Sequence, residues 1–129
     1  MTFSDNKPAK PGWTVLALWL AIGLLVFGTQ MPGAWKDSAL DAAGLPWQAT
    51  KVAHFTMFLV IAWLCRQETL RWTVGYVLGL ALLLACATEA LQFWAKDRQP
   101  GWLDVAVDMA GAVVGLWLAR WQFRKRAAV

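Results

Sequence analysis

Charged residues are scarce in this chain. Asp, Glu, Lys and Arg make up 16% of its 129 residues, while hydrophobic residues make up 59%, whereas soluble domains are about a quarter charged and about half apolar. A soluble fold of this size could not bury that much apolar surface, and a disordered chain would not contain it. The composition therefore favours an integral membrane protein with one domain at most.

Several patterns that carry chemistry are also missing. The two cysteines, Cys65 and Cys86, lie in apolar runs, which indicates packing residues and not a disulfide framework. There is no H-E-x-x-H, P-loop or G-x-S-x-G motif, and no cysteine pair with zinc spacing. The net charge of +4 comes from short segments between apolar runs, without a basic patch. The sequence therefore predicts no nucleic-acid partner, no metal, no cofactor and no recognised catalytic motif.

Four apolar runs of 19 to 23 residues are present, and each is long enough to cross a hydrocarbon core as a helix. They cover residues 13–31, 47–65, 72–94 and 102–121. A tryptophan opens every run, at the level where an indole prefers the lipid headgroups. We predict an all-α fold, an integral membrane four-helix bundle over residues 13–121, between an N-terminal tail (1–12) and a basic C-terminal tail (122–129).

The first run could alternatively be a signal peptide, because Lys7 and Lys10 precede it. However, the run is long for the apolar part of such a peptide. The segment that follows, Gly28-Thr29-Gln30-Met31-Pro32, has no A-x-A-like cleavage site. We therefore expect an uncleaved helix.

The distribution of Lys and Arg predicts the orientation. Eight lie on one side, in the two tails, in the second loop and, as Arg120, at the end of the fourth run, and four lie on the other side of the membrane, so both termini should be cytoplasmic. The first loop (32–46) and the third (95–101) then face outward. The first loop is long enough for a short interfacial helix around residues 34–43, held by Trp35 and Leu40.

Polar side chains interrupt three of the apolar runs at a similar depth. They are Lys51 and His54 on the second run, Glu89 and Gln92 on the third, and Asp104 and Asp108 on the fourth. Each charge costs about 2.5 to 3.5 kcal/mol at the centre of a membrane helix. Counted from the tryptophans at the run ends, members of all three pairs lie on the order of 6 to 10 Å below the outer interface. This shared depth predicts one polar pocket that opens outward.

Helical phase supports the same pocket. By the i, i+3, i+4, i+7 rule, the two polar residues of each run lie on one face. On the fourth run that face continues into Gly111 and Gly115, a small-xxx-small seam that lets another helix approach closely. Gly75 and Gly79 form a second seam of this kind. We predict that all four glycines pack helices.

The charges of this set do not balance. Three acids face Lys51 and, from the third loop, Arg98, while His54 can take either charge. One acid is therefore either protonated or paired with a protonated His54. The ion pairs could serve only to fix helix register, but small-residue seams can do that without desolvating charges. A ligand-binding pocket is favoured, and its predicted residues are Lys51, His54, Glu89, Gln92, Arg98, Asp104 and Asp108.

Four sequence elements follow one another in a recognisable order. They are Lys51-Val-Ala-His54-Phe55, Glu89-x-x-Gln92, Arg98, and Asp104-x-x-x-Asp108-x-x-Gly111-x-x-x-Gly115. Together they resemble the VanZ-like membrane protein family over roughly residues 50–115, about half of the chain. Two positions depart from the family pattern: Asp108 stands where the family usually has Asn, and Thr50 where it often has an acid. The first departure adds a negative charge to the pocket.

The resemblance implies a multi-pass protein of the bacterial cytoplasmic (inner) membrane with an envelope-related function. Members are similar to a protein associated with low-level resistance to the glycopeptide teicoplanin. The resemblance does not identify a reaction, and it leaves the catalytic residues unknown.

Three functions remain open at this stage. The pocket could bind an envelope ligand: a membrane lipid headgroup, a lipid-linked compound or a glycopeptide. It could belong to a hydrolase or transferase acting on a lipid-linked phosphate or ester, with His54, Glu89, Asp104 and Asp108 as metal ligands or general base. It could also couple protons or ions to transport, for which four helices would need a homo-oligomer.

Overall fold

The computed structural model describes residues 12–67, 69–93 and 101–128. This part of the chain forms five α-helices and contains no strand. The helices are α1 (Gly12–Gln30), α2 (Gly33–Ala43), α3 (Ala49–Cys65), α4 (Val74–Gln92) and α5 (Trp102–Ala127). The all-helical fold predicted from the sequence is confirmed.

Three of the helices are long and apolar enough to cross a membrane. They are α1 and α4, with 19 residues each, and α5, with 26. The apolar helix α3 has 17 residues, about 26 Å of helix, because it begins after a turn in which Ala49 N donates to Pro46 O at 2.9 Å. Large apolar side chains such as Trp19, Leu83 and Trp117 are exposed on the outer faces. An exposed apolar surface of this kind suits lipid contact.

The helices α3 and α5 make the most extensive contact, and glycines determine how closely they approach. A Cβ atom added to Gly111 would collide with the backbone carbonyl of Phe55, and one added to Gly115 would collide with that of Leu59. Because these side chains are absent, the two backbones touch directly. Phe58 is completely buried beside this contact.

The other helices pack around this pair. α4 packs against α5, and α1 packs against α3 and α4. Ala81 and Ala85 on α4 are buried, and their small side chains let neighbouring helices approach closely. Further along the α3–α5 contact, Trp63 Nε1 donates a hydrogen bond to Gln122 Oε1 at 2.9 Å. A hydrogen bond between side chains of two helices fixes their register.

The short helix α2 lies in the first loop, where the sequence predicts a helix around residues 34–43. It ends at Gly44, whose φ of +64° is the left-handed conformation that glycine adopts without a Cβ penalty. No residue of α2 is buried; Trp35 is exposed and Leu40 is half-buried. The helix is confirmed, and its position at the interface stays a prediction.

The last helix is longer than the predicted fourth run. It continues past residue 121 to Ala127, so most of the segment taken as a basic tail is helical. Arg124, Lys125 and Arg126 lie in its final turn, where positive charge favours the helix dipole. Lys125 also lies over the ring of Trp121, with Nζ 3.8 Å from the ring centroid. These interactions explain why the helix persists beyond the apolar run.

Candidate functional site

A polar cavity of about 230 Å³ lies among the predicted pocket residues. Side chains from α3, α4 and α5 line it, and α2 and the turn before α3 complete it. The lining residues are Lys36, Trp47, Thr50, Lys51, His54, Glu89, Gln92, Asp104, Val107 and Asp108. Six of the seven residues predicted for the pocket are thus brought together around one space.

An ion pair stands at the exposed side of the cavity. Lys51 Nζ lies 3.2 Å from Asp104 Oδ1, and the two side chains are 39% and 37% exposed. The same ammonium lies 5.5 Å from the centroid of the Trp47 ring, within the range of a cation–π interaction. A pair this exposed contributes little to stability, and Lys51 can exchange its partner for a ligand at small cost.

A second pair lies deeper. His54 Nδ1 is 3.3 Å from Asp108 Oδ1, and the side chain of Asp108 is fully buried. If Asp108 is ionised, this contact is a hydrogen bond only when Nδ1 carries the proton. The other carboxylate oxygen, Asp108 Oδ2, has no hydrogen-bond partner among the described residues. Buried carboxylate oxygens are costly to leave unpaired, and this one is closed to a water-sized molecule, so a ligand reaches it only when neighbouring side chains move aside.

Glu89 connects two helices at the edge of the cavity. It is 7% exposed, and its Oε2 accepts a hydrogen bond from the backbone N–H of Gly101 at 3.1 Å. Because Gly101 immediately precedes α5, this bond ties the end of α4 to the start of α5. Gln92, one turn further along α4, is also buried. Glu89 therefore combines a structural bond with a position in the cavity wall.

The cavity includes residues that sequence reasoning did not assign to it. Lys36 enters from α2, where its Nζ also donates to the backbone carbonyl of Thr29 at 3.4 Å. Trp47 was assigned only to the interface, and Thr50 only to a departure from the family pattern. All three lie in or beside the first loop, and that shared location was the signal that could have assigned them to the cavity. The path of the loop in space could not be read from the sequence. Arg98, by contrast, lies outside the described residues, and its place in the pocket stays a prediction.

The predicted packing glycines divide into two groups. Gly111 and Gly115 lie at the α3–α5 contact described above. At Gly75 and Gly79, an added Cβ would meet no described atom within 4 Å. These two glycines instead border a groove with Trp72 and Tyr76. Their predicted packing role therefore has no partner helix among the described residues of a single chain.

The acids and the histidine of the cavity do not form a ready metal site. Among the residues that the structure describes, no three His, Cys, Asp or Glu side chains are arranged to hold a metal ion. His54 and Asp108 contact each other, Asp104 contacts Lys51, and Glu89 binds a backbone amide. The geometry thus adds no support to the four metal ligands considered for a hydrolase.

Comparison with known proteins identifies the family. A family model described as VanZ/LLP1 matches residues 10–123, which include the cavity and all the helices except the end of α5. No curated protein and no solved structure matches the chain. The match agrees with the resemblance carried by Lys51, His54, Glu89 and Asp104. With its long apolar helices, the chain is a membrane protein that belongs to the VanZ/LLP1 family.

Proposed function

We propose that this VanZ-like protein binds the zwitterionic polar group of an envelope ligand in the cavity between α3, α4 and α5. The observation that supports the proposal is the convergence of six polar side chains from three helices on one cavity of about 230 Å³. Drug-sized ligands occupy pockets of roughly 300 to 1,000 Å³. The cavity therefore suits a headgroup, and a whole glycopeptide is too large for it.

The charges of the lining favour a ligand that carries both signs. Glu89, Asp104 and Asp108 are acidic, and Lys36 and Lys51 are basic. A ligand ammonium would be held by the carboxylates that line the cavity. A ligand phosphate or carboxylate would bind the lysines, since charge-assisted hydrogen bonds are the stronger ones. Arg98 would add a forked donor for the same anionic group.

The proposed setting is the bacterial cytoplasmic membrane. In this arrangement α1, α3, α4 and α5 cross the bilayer as a four-helix bundle, both termini are cytoplasmic, and the cavity faces outward. The excess of Lys and Arg in the tails and the second loop supports this orientation. A role in glycopeptide resistance would follow from binding an envelope compound, and the family resemblance supports that role.

The test is binding of a zwitterionic lipid to the full chain in detergent micelles, measured by native mass spectrometry. Dioleoyl phosphatidylethanolamine is the probe. Lys51→Met and Glu89→Gln should each weaken binding by about tenfold, the loss of one charge-assisted contact. The glutamine keeps an oxygen that can accept from Gly101, so its fold is preserved.

Asp41→Asn is the matched control, because it removes an exposed carboxylate of α2 that does not line the cavity. This variant should bind the lipid as the parent protein does. Unchanged binding in both cavity variants would refute the proposed function.

A further inference from the structure

An apolar groove of about 330 Å³ adjoins the charged cavity. It runs between α1, α2 and α3. Most of its wall is hydrocarbon, contributed among others by Leu24, Leu25, Leu40 and Met57. Unlike the cavity, the groove contains no carboxylate in its lining. Most of its surface therefore suits an apolar group.

The groove and the cavity are contiguous. Lys36, Thr50 and His54 line both of them. These three side chains form the boundary between the charged cavity, which acids and lysines line, and the apolar groove, which is lined mainly by apolar residues, leucines and methionines among them. A ligand that crosses this boundary would have a charged part on one side and a hydrocarbon part on the other. That is the chemistry of a membrane lipid, and a water-soluble zwitterion has no part that fits the groove.

We infer that the ligand of the cavity is a lipid whose zwitterionic head lies among Glu89, Asp108 and Lys51, and whose hydrocarbon chain lies in the groove between α1, α2 and α3. This inference rests on the proposed function, and it names the class of ligand. The inference depends on His54, which lines both the cavity and the groove. The bond that joins the lipid headgroup to its hydrocarbon chain would lie beside this side chain.

The hydrocarbon chain of the lipid contributes to binding by holding the headgroup in place. Lipid tails are as apolar as leucine, so moving a chain from the bilayer into the groove changes the hydrophobic free energy little. A seated chain instead holds the attached head beside the cavity at a high effective concentration. A head that lacks the chain must bind without this advantage, and it should therefore bind more weakly.

Two glycines of α1 offer a matched pair of variants. Gly28 lines the groove, and Gly23 does not. An added Cβ meets no described atom within 4 Å at either position, and leucine favours a helix more than glycine does. Gly28→Leu and Gly23→Leu should therefore both fold, but only the first places a side chain in the groove.

The experiment measures binding of two probes to the full chain in detergent by native mass spectrometry. The probes are dioleoyl phosphatidylethanolamine and glycerophosphoethanolamine, which has the same head without chains. We expect the lipid to bind roughly tenfold or more tightly than the chain-free head. Gly28→Leu should weaken lipid binding by about fivefold or more, whereas Gly23→Leu should leave it unchanged.

The two possible failures are distinguishable. If Lys51→Met and Glu89→Gln weaken binding but Gly28→Leu behaves as Gly23→Leu does, the chain does not occupy the groove and this inference is wrong while the proposed function stands. Equal binding of the two probes to the parent protein would identify a water-soluble zwitterion as the ligand. This inference would then also be wrong, while the proposed function would stand. If the cavity variants also bind the lipid normally, both proposals fail.

Discussion

Gly111 of α5 lies directly against the backbone carbonyl of Phe55 in α3, and this contact holds two residues of the cavity together. His54 precedes Phe55, and Asp108 lies one helical turn before Gly111. The approach of the two backbones therefore brings His54 Nδ1 to 3.3 Å from Asp108 Oδ1. A steric relationship between a glycine and a backbone carbonyl thus places two costly polar groups within reach of each other.

Enlarging Gly111 should separate the two helices. In Gly111→Ala the new methyl group collides with backbone, which cannot move aside as a side chain can, so we expect a loss of about 1 to 3 kcal/mol of stability. Thermal unfolding in detergent measures it. Gly75→Ala is the control, because a Cβ there meets no described atom within 4 Å. Equal unfolding temperatures for the two variants would contradict this account of the α3–α5 contact.

The deeper pair should show strong coupling. His54→Leu leaves the fully buried Asp108 without its partner, which should cost about 3 kcal/mol or more. Asp108→Asn removes the charge, and the double variant should then recover part of the loss, because no unpaired buried carboxylate remains. Unfolding measurements on the single and double variants form the cycle. Additive losses would show that the two residues do not interact.

The outer pair should behave differently, because both side chains are more than a third exposed. Lys51→Met should change the free energy of unfolding by less than about 1 kcal/mol, while it weakens binding of the zwitterionic lipid. This separates a binding role from the alternative in which the ion pairs only fix helix register. That alternative requires the reverse pattern, a large loss of stability with no effect on binding.

Arg98 lies outside the described residues, and the sequence predicts that it belongs to the pocket. Substitution of Arg98 tests this prediction. If it binds the anionic part of the ligand, Arg98→Ala should weaken lipid binding by about tenfold, and Arg98→Lys should restore part of it as a point charge without the fork. Arg120→Ala is the control, since this exposed residue of α5 does not line the cavity. Equal binding by the parent and both Arg98 variants would remove Arg98 from the site.

The orientation can be tested by thiol labelling in whole cells. Cys65 and Cys86 are first replaced by alanine, and a single cysteine is then placed at Ser38 on α2 or at Ala128 after α5. With both termini cytoplasmic, a membrane-impermeant maleimide should label the cysteine at 38 before lysis and the cysteine at 128 only after lysis. Labelling in the opposite order would invert the arrangement and turn the cavity toward the cytoplasm.

The site was predictable to the extent that helical geometry determines it. Depth below the tryptophans and the 3.6-residue period were enough to predict that Lys51, His54 and Asp108 line one pocket, because both quantities follow from rise and phase along a single helix. The contribution of Lys36 was not predictable. It depends on how α2 lies relative to α3, and that orientation is set by a loop whose path has no period.

The two glycine seams show the same limit. Gly75 and Gly79 have the same spacing as Gly111 and Gly115, so the sequence marks both as surfaces where a helix can approach. Only the second pair meets the backbone of another described helix. The spacing of two glycines shows only that another helix can approach that face. Which helix packs there depends on how all the helices pack together.

The α3–α5 contact has a consequence for discrimination among related compounds. Its backbone atoms cannot yield, so the innermost wall around Asp108 is stiff, whereas the rim at Lys51 consists of long, solvated side chains that can swing aside. Compounds that differ in bulk near the rim should therefore be tolerated. Those that differ in the group reaching the innermost wall, by a single methyl for example, should be rejected.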